Sequence, residues 1–234
     1  MMTKNEETLP WPSGWQIRPR RESIPTAVLQ AWRSVPVAVV GDCIGRSVGT
    51  VGLRAYHPDL KTVLCGQAIT VRTRPGDNLI IHKAMLMAQA GDVIVIDGGG
   101  DLTQALVGGL MRTTALAKNL SGFVIDGAVR DLVEWYEGGM PVFARGHTHR
   151  GPSKEGPGEV NVAVSCAGLV VQPGDLVLGD ADGVIAIPAA ELESLWPKVQ
   201  AHLAHEEKIR KINASGVGDP ERFDALLRAK GVPV

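Results

Sequence analysis

Cysteine is scarce in this chain, and what there is carries no metal or disulfide signature. Cys43, Cys65 and Cys166 are odd in number and show no C-x-x-C spacing. Neither a disulfide framework nor a zinc knuckle is indicated, and buried reduced thiols in a cytoplasmic protein are the expectation. An excess of either charge is also missing, since 24 Lys and Arg against 25 Asp and Glu leave a formal net charge of -1. No polyelectrolyte partner is implied, and nucleic acid, which selects a basic face, is not an expected ligand. The basic runs are short; Arg18-Pro19-Arg20-Arg21 lies in a Pro-rich N-terminal stretch and is expected to be a solvated arm. No apolar run approaches the roughly 20 residues needed to span a membrane, and the opening MMTKNEETLP lacks the apolar stretch of a signal peptide. A repeat of constant period is absent. So is the G-x-G-x-x-G spacing of a dinucleotide site, which sets aside a nicotinamide cofactor.

What is there is an alternation of short apolar runs and turn residues. Pro25–Trp32 reads as a short helix, Val35–Val40 as a strand or helix end, and Thr62–Thr73 as a strand closed by Arg74-Pro75-Gly76-Asp77. Asn78–Gln89 has the spacing of an amphipathic helix. Val93–Ile96 and Phe123–Ile125 are uninterrupted apolar runs ending in Asp-Gly, the pattern of strands buried on both faces. Pro141–Ala144 predicts a strand, residues 145–159 a polar loop, Val160–Ile187 a strand series and Ala189–Ile212 a long helix. At 234 residues the chain is expected to form one compact α/β domain: an arm over 1–22, a core over 23–190, and a C-terminal helix and tail over 191–234.

Chemistry is expected between Gly91 and Glu134, because open α/β sheets bind ligands at the C-terminal ends of their strands. The apolar runs place Asp97 at one such end and Asp126, Arg130 and Asp131 at the other. Gly108-Gly109 fits two readings. One is a helix N-terminus whose Gly109, Leu110 and Met111 amides receive an anion. The other is a helix starting at Asp101 through an Asp-x-x-Gln104 capping box, with the glycines only easing close packing. Arg130 can fork onto a carboxylate, and Asp131 offers a hard oxygen to Mg²⁺ or Mn²⁺. Glu134 lies on the face of Asp131. Asp77, Asn78 and His82 could line the same cleft, although capping explains Asp77 and Asn78 equally well. His147-Thr148-His149 and Asp180/Asp182 favour bland readings, a solvated loop and Asx turns.

The blocks VRTRPGDNLIIHKAM, DGGG, GGLM, GFVIDGAVRDL, PVFARG and GPGEVNVAVSCAGLVVQPGDLVLGDADGVIAIP resemble the class II pyruvate aldolases acting on 4-hydroxy-4-methyl-2-oxoglutarate and 4-carboxy-4-hydroxy-2-oxoadipate, a family that includes the regulator of ribonuclease E activity A. The resemblance spans about residues 35–190. It implies an α/β/β swivelling-type domain assembled as trimers or hexamers with active sites at subunit clefts. It further implies that Arg130 binds the carboxylate of pyruvate and steadies its enolate, that Asp131 holds a divalent metal, and that the Leu110 and Met111 amides receive the substrate's acid group. A neighbouring subunit's Glu206 or Glu207 is expected to hold a metal-bound water. The family's aldolases carry an acidic residue where this chain has Gly109. Two functions follow as expectations: a metal-dependent C–C lyase on a 2-oxo acid, or a non-catalytic regulator that binds a protein partner.

Overall fold

The computed structural model describes residues 11–234. They fall into two units, one running to Leu192 and the other Glu193–Val234. In chain order the first unit contains β1 (Trp15–Ile17), α1 (Thr26–Trp32), α2 (Val37–Cys43), β2 (Arg54–Ala55), β3 (Leu64–Thr73), α3 (Leu79–Met87) and β4 (Asp92–Asp97). There follow β5 (Ala105–Val107), α4 (Gly109–Ala117), β6 (Gly122–Val129), α5 (Leu132–Tyr136), β7 (Val142–His147) and β8 (Gly158–Val160). Two hairpins close the unit, β9 (Val164–Cys166) with β10 (Leu169–Val171) and β11 (Leu176–Asp180) with β12 (Gly183–Ile187). The second unit holds α6 (Leu192–Ala214, entered at its first residue) and α7 (Pro220–Ala229).

The main sheet runs β1-β8-β3-β4-β6-β7-β2, and its centre, β3-β4-β6-β7, is parallel. Strand periodicity divides its side chains between two cores. Ile69, Val71, Ile94, Ile96, Phe123 and Ile125 enter a core shared with Ile80, Ile81, Ala84, Met111 and Ala115 of α3 and α4. Leu64, Ala68, Val93, Val95 and Val124 enter the other, shared with Val164, Cys166, Leu169, Val177 and Val184 of the hairpins. This mixed α/β layering, with helices on one face and β-hairpins on the other, explains why the runs are apolar at every position. All three cysteines are buried thiols. Among the described residues no helix is long and apolar enough to cross a membrane.

The structure corrects the sequence reading at four places. Val35–Val40 does not extend as a strand; Pro36 stands at the N-cap of α2, where its fixed φ suits helix entry. The stretch around Arg18–Arg21 is not a free arm, although Arg18, Pro19 and Arg21 are exposed. Trp15–Ile17 pairs in parallel with Gly158–Val160, and Arg20 donates from Nε and a terminal nitrogen to Asp92 at 2.8 and 2.6 Å; residues 1–10 lie outside the described residues. No helix begins at Asp101. Residues 105–107 form β5 beside β6, and the helix starts at Gly109 with Gly108 as N-cap, which decides for a helix N-terminus at the two glycines. Finally, Asp126-Gly127 does not end a strand, because β6 continues to Val129 past an irregularity in its register with β7.

Candidate functional site

β5 and β6 end side by side, and the Arg130 N–H donates to the Val107 carbonyl at 3.1 Å. Two helices start from this point, α4 at Gly109 and α5 at Leu132. The chain turns from β6 into α5 through Asp131, which sits in the left-handed region at φ 62°, ψ 48°. That conformation costs a non-glycine residue roughly 1–2 kcal/mol. It sends the Asp131 carboxylate back across to α4, where Oδ2 accepts the Gly109 N–H at 2.8 Å. The corner is held from below by Trp135, fully buried and edge-on to Phe123 at 6.0 Å. Its Nε1–H donates to the Arg130 carbonyl at 2.8 Å.

The Arg130 side chain enters a narrow cleft of about 80 Å³ lined also by Gly108, Leu110, Met111, Asn78, His82 and Lys154. Of the α4 amides, that of Gly109 is taken by Asp131 and that of Met111 bonds back to the Gly108 carbonyl at 3.1 Å. The Leu110 N–H has no acceptor among the described residues, so it is the amide available to an anion. Lys154 Nζ donates to Asn78 Oδ1 at 3.1 Å, while Asn78 Nδ2 donates to the Leu106 carbonyl at 3.1 Å. His82 Nε2 is buried and has no hydrogen-bond partner among the described residues. Burial, and then the positive charge of Lys154, lower the His82 pKa, so its imidazole is neutral at pH 7. Two cations and a helix N-terminus thus converge on a space that fits a small anion.

Lys154 is delivered by a clamp. Asp77 is fully buried, and it accepts from the Leu79 N–H at 3.0 Å, Ser153 Oγ at 2.7 Å and the Glu155 N–H at 2.6 Å. Burial alone would raise its pKa; these hydrogen bonds outweigh burial and hold it below the usual carboxylate value.

Beside the cleft lie the carboxylates of Asp131 and Glu134. Arg130 Nε is 3.5 Å from Asp131 Oδ2. A Cβ on Gly108 would lie 2.5 Å from that oxygen, and a Cβ on Gly109 would overlap the Glu134 carboxylate. The two glycines therefore form a cradle filled by carboxylate oxygens, a hard donor set suited to Mg²⁺ or Mn²⁺. A larger cavity of about 270 Å³ shares Arg130 and Asp131 and adds Leu132, His147, Thr148 and His149.

Residues 37–186, which carry every side chain of this cleft, match the family described as RraA-like, Aldolase/RraA. The chain belongs to that family. A Halalkalibacterium halodurans protein, provisionally named a 4-hydroxy-4-methyl-2-oxoglutarate aldolase, is 38% identical over 177 residues, covering 75% of this chain and 83% of its own length. A Thermus thermophilus protein named 4-hydroxy-4-methyl-2-oxoglutarate aldolase is 39% identical over 112 residues, 48% of this chain and 68% of its own. The solved structure of the RNA-processing inhibitor RraA of Thermus thermophilus superposes with a TM-score of 0.61 at 31% identity, over 66% of this chain and 93% of that one.

Within this RraA-like fold, the sequence candidates separate. Arg130, Gly108, Leu110, Met111, Asn78 and His82 share the cleft, with Asp131 and Glu134 at the Gly108-Gly109 turn. Asp77 lies behind the cleft as the clamp. Asp126 is committed elsewhere, to Arg145 Nε at 2.5 Å and the Ala167 N–H at 2.8 Å. Asp97 accepts the Gly99 N–H at 3.2 Å. Asp180 accepts the Asp182 N–H in an Asx turn and the Val37 N–H at the start of α2, both at 2.9 Å. His147 Nδ1 meets the Tyr56 hydroxyl at 3.3 Å. In the second unit, Glu206 and Glu207 pair with Arg210 and Lys211 one turn on. Lys154 was missed as a cleft residue. Its only signal in the sequence is a polar loop, and a parallel bridge between Asp77 and Ser153 carries it to the site.

Proposed function

We propose that this chain is a C–C lyase that cleaves a 2-oxo acid to release pyruvate, by retro-aldol cleavage of a 4-hydroxy-2-oxo acid or by decarboxylation of oxaloacetate. The observation that carries the reading is the convergence of Arg130, Lys154 and the open Leu110 N–H on one small cleft, beside the Asp131 and Glu134 carboxylates. The names of the aldolase relatives support it.

In this reading the substrate carboxylate lies against the Arg130 guanidinium and the Leu110 amide. Breaking the C3–C4 bond leaves its electron pair on pyruvate as an enolate. Arg130 opposes that developing charge at the 2-oxo oxygen, an effect available because the guanidinium is held in place before the reaction. Both reactions share this enolate, so one site serves both. Asp131 and Glu134 would hold a divalent cation, Mg²⁺ or Mn²⁺, which when bound supplies Lewis-acid polarisation of the 2-oxo group. Neutral His82 lies in the cleft with an unsatisfied nitrogen that can take or return a proton at its Nε2. Assembly as a trimer or hexamer, with Glu206 or Glu207 of a neighbour approaching the cleft, completes the reading.

The test is a pyruvate-release assay over a panel of 2-oxo acids with Mg²⁺ and with Mn²⁺. Arg130→Ala and the near-isosteric Asp131→Asn are each expected to lower kcat by about 10²-fold or more. No release from any substrate, or unchanged rates in both variants, overturns the assignment.

A second reading draws on Leu110 and Val133, which stand 82% and 80% exposed on the two helices that carry the site. Apolar exposure of this kind fits a regulator whose face is covered by a protein partner. Metal-dependent binding of oxalate, a mimic of the enolate, counts for the lyase; its absence counts for the regulator.

A further inference from the structure

The conformation of Asp131 has to be held by something. At φ 62° it lies in the left-handed region, which residues with a side chain populate sparsely and keep only where the surroundings over-determine it. Three hydrogen bonds fix the backbone here. The Arg130 N–H donates to the Val107 carbonyl, and the Asp131 carbonyl accepts the Glu134 N–H, both at 3.1 Å. The peptide unit between these two bonds carries the Arg130 carbonyl, and because that unit is planar its orientation sets φ of Asp131. No backbone N–H among the described residues reaches this carbonyl. Its hydrogen bond comes from a side chain, the Trp135 indole, whose Nε1–H donates to it at 2.8 Å.

From this geometry, and resting on the proposed metal-dependent reading, we infer that Trp135 is a positioning residue of the site: its indole N–H pins the Arg130–Asp131 peptide and so aims the Asp131 carboxylate. The indole suits the task on two counts. It is fully buried and edge-on to Phe123, so packing fixes where its single donor points. It also belongs to α5, the helix that carries Glu134, so one element sets both carboxylates. A phenyl ring at 135 would fill most of the same space and donate nothing. The peptide is then free to turn, Asp131 relaxes toward the commoner backbone regions, and its carboxylate leaves the Gly109 N–H that it holds at 2.8 Å. Trp135 lines no part of the cleft; it acts through the backbone of Arg130 and Asp131 alone.

The experiment is calorimetric titration of the full-length protein with Mn²⁺ alone, with thermal unfolding followed for each variant. Trp135→Phe is expected to weaken Mn²⁺ binding about 10–100-fold, the usual effect of losing a group that orients a metal's ligands. Trp135→Met, a flexible side chain that fills the space without a donor, should do the same. Phe123→Leu separates the hydrogen bond from packing. It removes the ring that Trp135 rests against but leaves the N–H in place, so it should lower the thermal midpoint and leave Mn²⁺ affinity unchanged. Wild-type affinity in a folded Trp135 variant overturns this inference and leaves the lyase reading standing. So does an equal loss of affinity in Phe123→Leu, which would assign the effect to packing. Loss of cooperative unfolding in both Trp135 variants overturns it too, by placing the residue in the framework. No Mn²⁺ binding by the wild-type protein overturns both this inference and the metal-dependent reading.

Discussion

Two Arg–Asp pairs, Arg145–Asp126 and Arg130–Asp131, lie a short distance apart in sequence and behave as opposites. Arg145 and Asp126 meet at 2.5 Å with side-chain exposures of 33% and 10%, and the second oxygen of Asp126 takes the Ala167 N–H. Arg130 and Asp131 are adjacent in the chain, yet their closest approach is 3.5 Å and they are 37% and 39% exposed. The first pair has spent its hydrogen bonds inside the protein. In the second, Asp131 gives one oxygen to the Gly109 N–H, and the guanidinium stays open to the cleft. A charged pair whose carboxylate is buried and saturated holds structure; one that is loose, with both groups open and perched on a strained residue, is available to a ligand.

The sharpest way to break this contrast is Asp126→Ala. It strips the partner from Arg145 and the acceptor from a buried N–H, and should destabilise the fold by about 3 kcal/mol, measured by urea unfolding. A loss under 1 kcal/mol would make the two pairs equivalent. A smaller effect is expected at Asp77, the clamp that delivers Lys154. Asp77→Asn should cost about 1–3 kcal/mol through the acceptor it loses. Because hydrogen bonding holds the Asp77 pKa below its unfolded value of about 3.9, the unfolded state binds the proton more tightly. The stabilisation is therefore complete above about pH 4 and is lost as pH falls through the lower folded value. Urea midpoints of the wild-type protein should drop more steeply below pH 4 than those of Asp77→Asn; parallel curves would show that the clamp does not titrate. The smallest effect is expected at the open pair. Arg130→Ala should change stability by no more than about 0.5 kcal/mol while removing activity, and a large stability loss there would assign Arg130 to the framework.

The contrast also shows what the sequence could and could not disclose. The apolar runs of β4 and β6 were legible because burial on both faces leaves no polar position to obscure them. Arg130, Asp131 and Glu134 were legible because a strand end, a turn and a short helix bring them together locally. Asp126 was misread because Asp-Gly is a turn signal by composition, and only the Arg145 partner 19 residues on makes it a buried strand position. The Gly108-Gly109 ambiguity turned on β5, a strand too short to show a period and held by pairing with β6. Lys154 and the Trp15–Ile17 strand were not legible, since each is placed by a partner more than 70 residues away.

β3 carries a consequence for how the chain is made. Its residues pair with β4 at 92–97, with β8 at 158–160 and with β11 at 176–179. On a ribosome β3 emerges early, and its first partner follows within a few dozen residues. Its other edge is filled only later, first by β8 at residues 158–160 and then by β11 at 176–179. Long-range pairings of this kind slow folding and leave strand edges exposed while they wait. A nascent chain halted before residue 176 would present an uncapped β3, and truncation there should yield aggregates where truncation after Ile187 yields a folded unit.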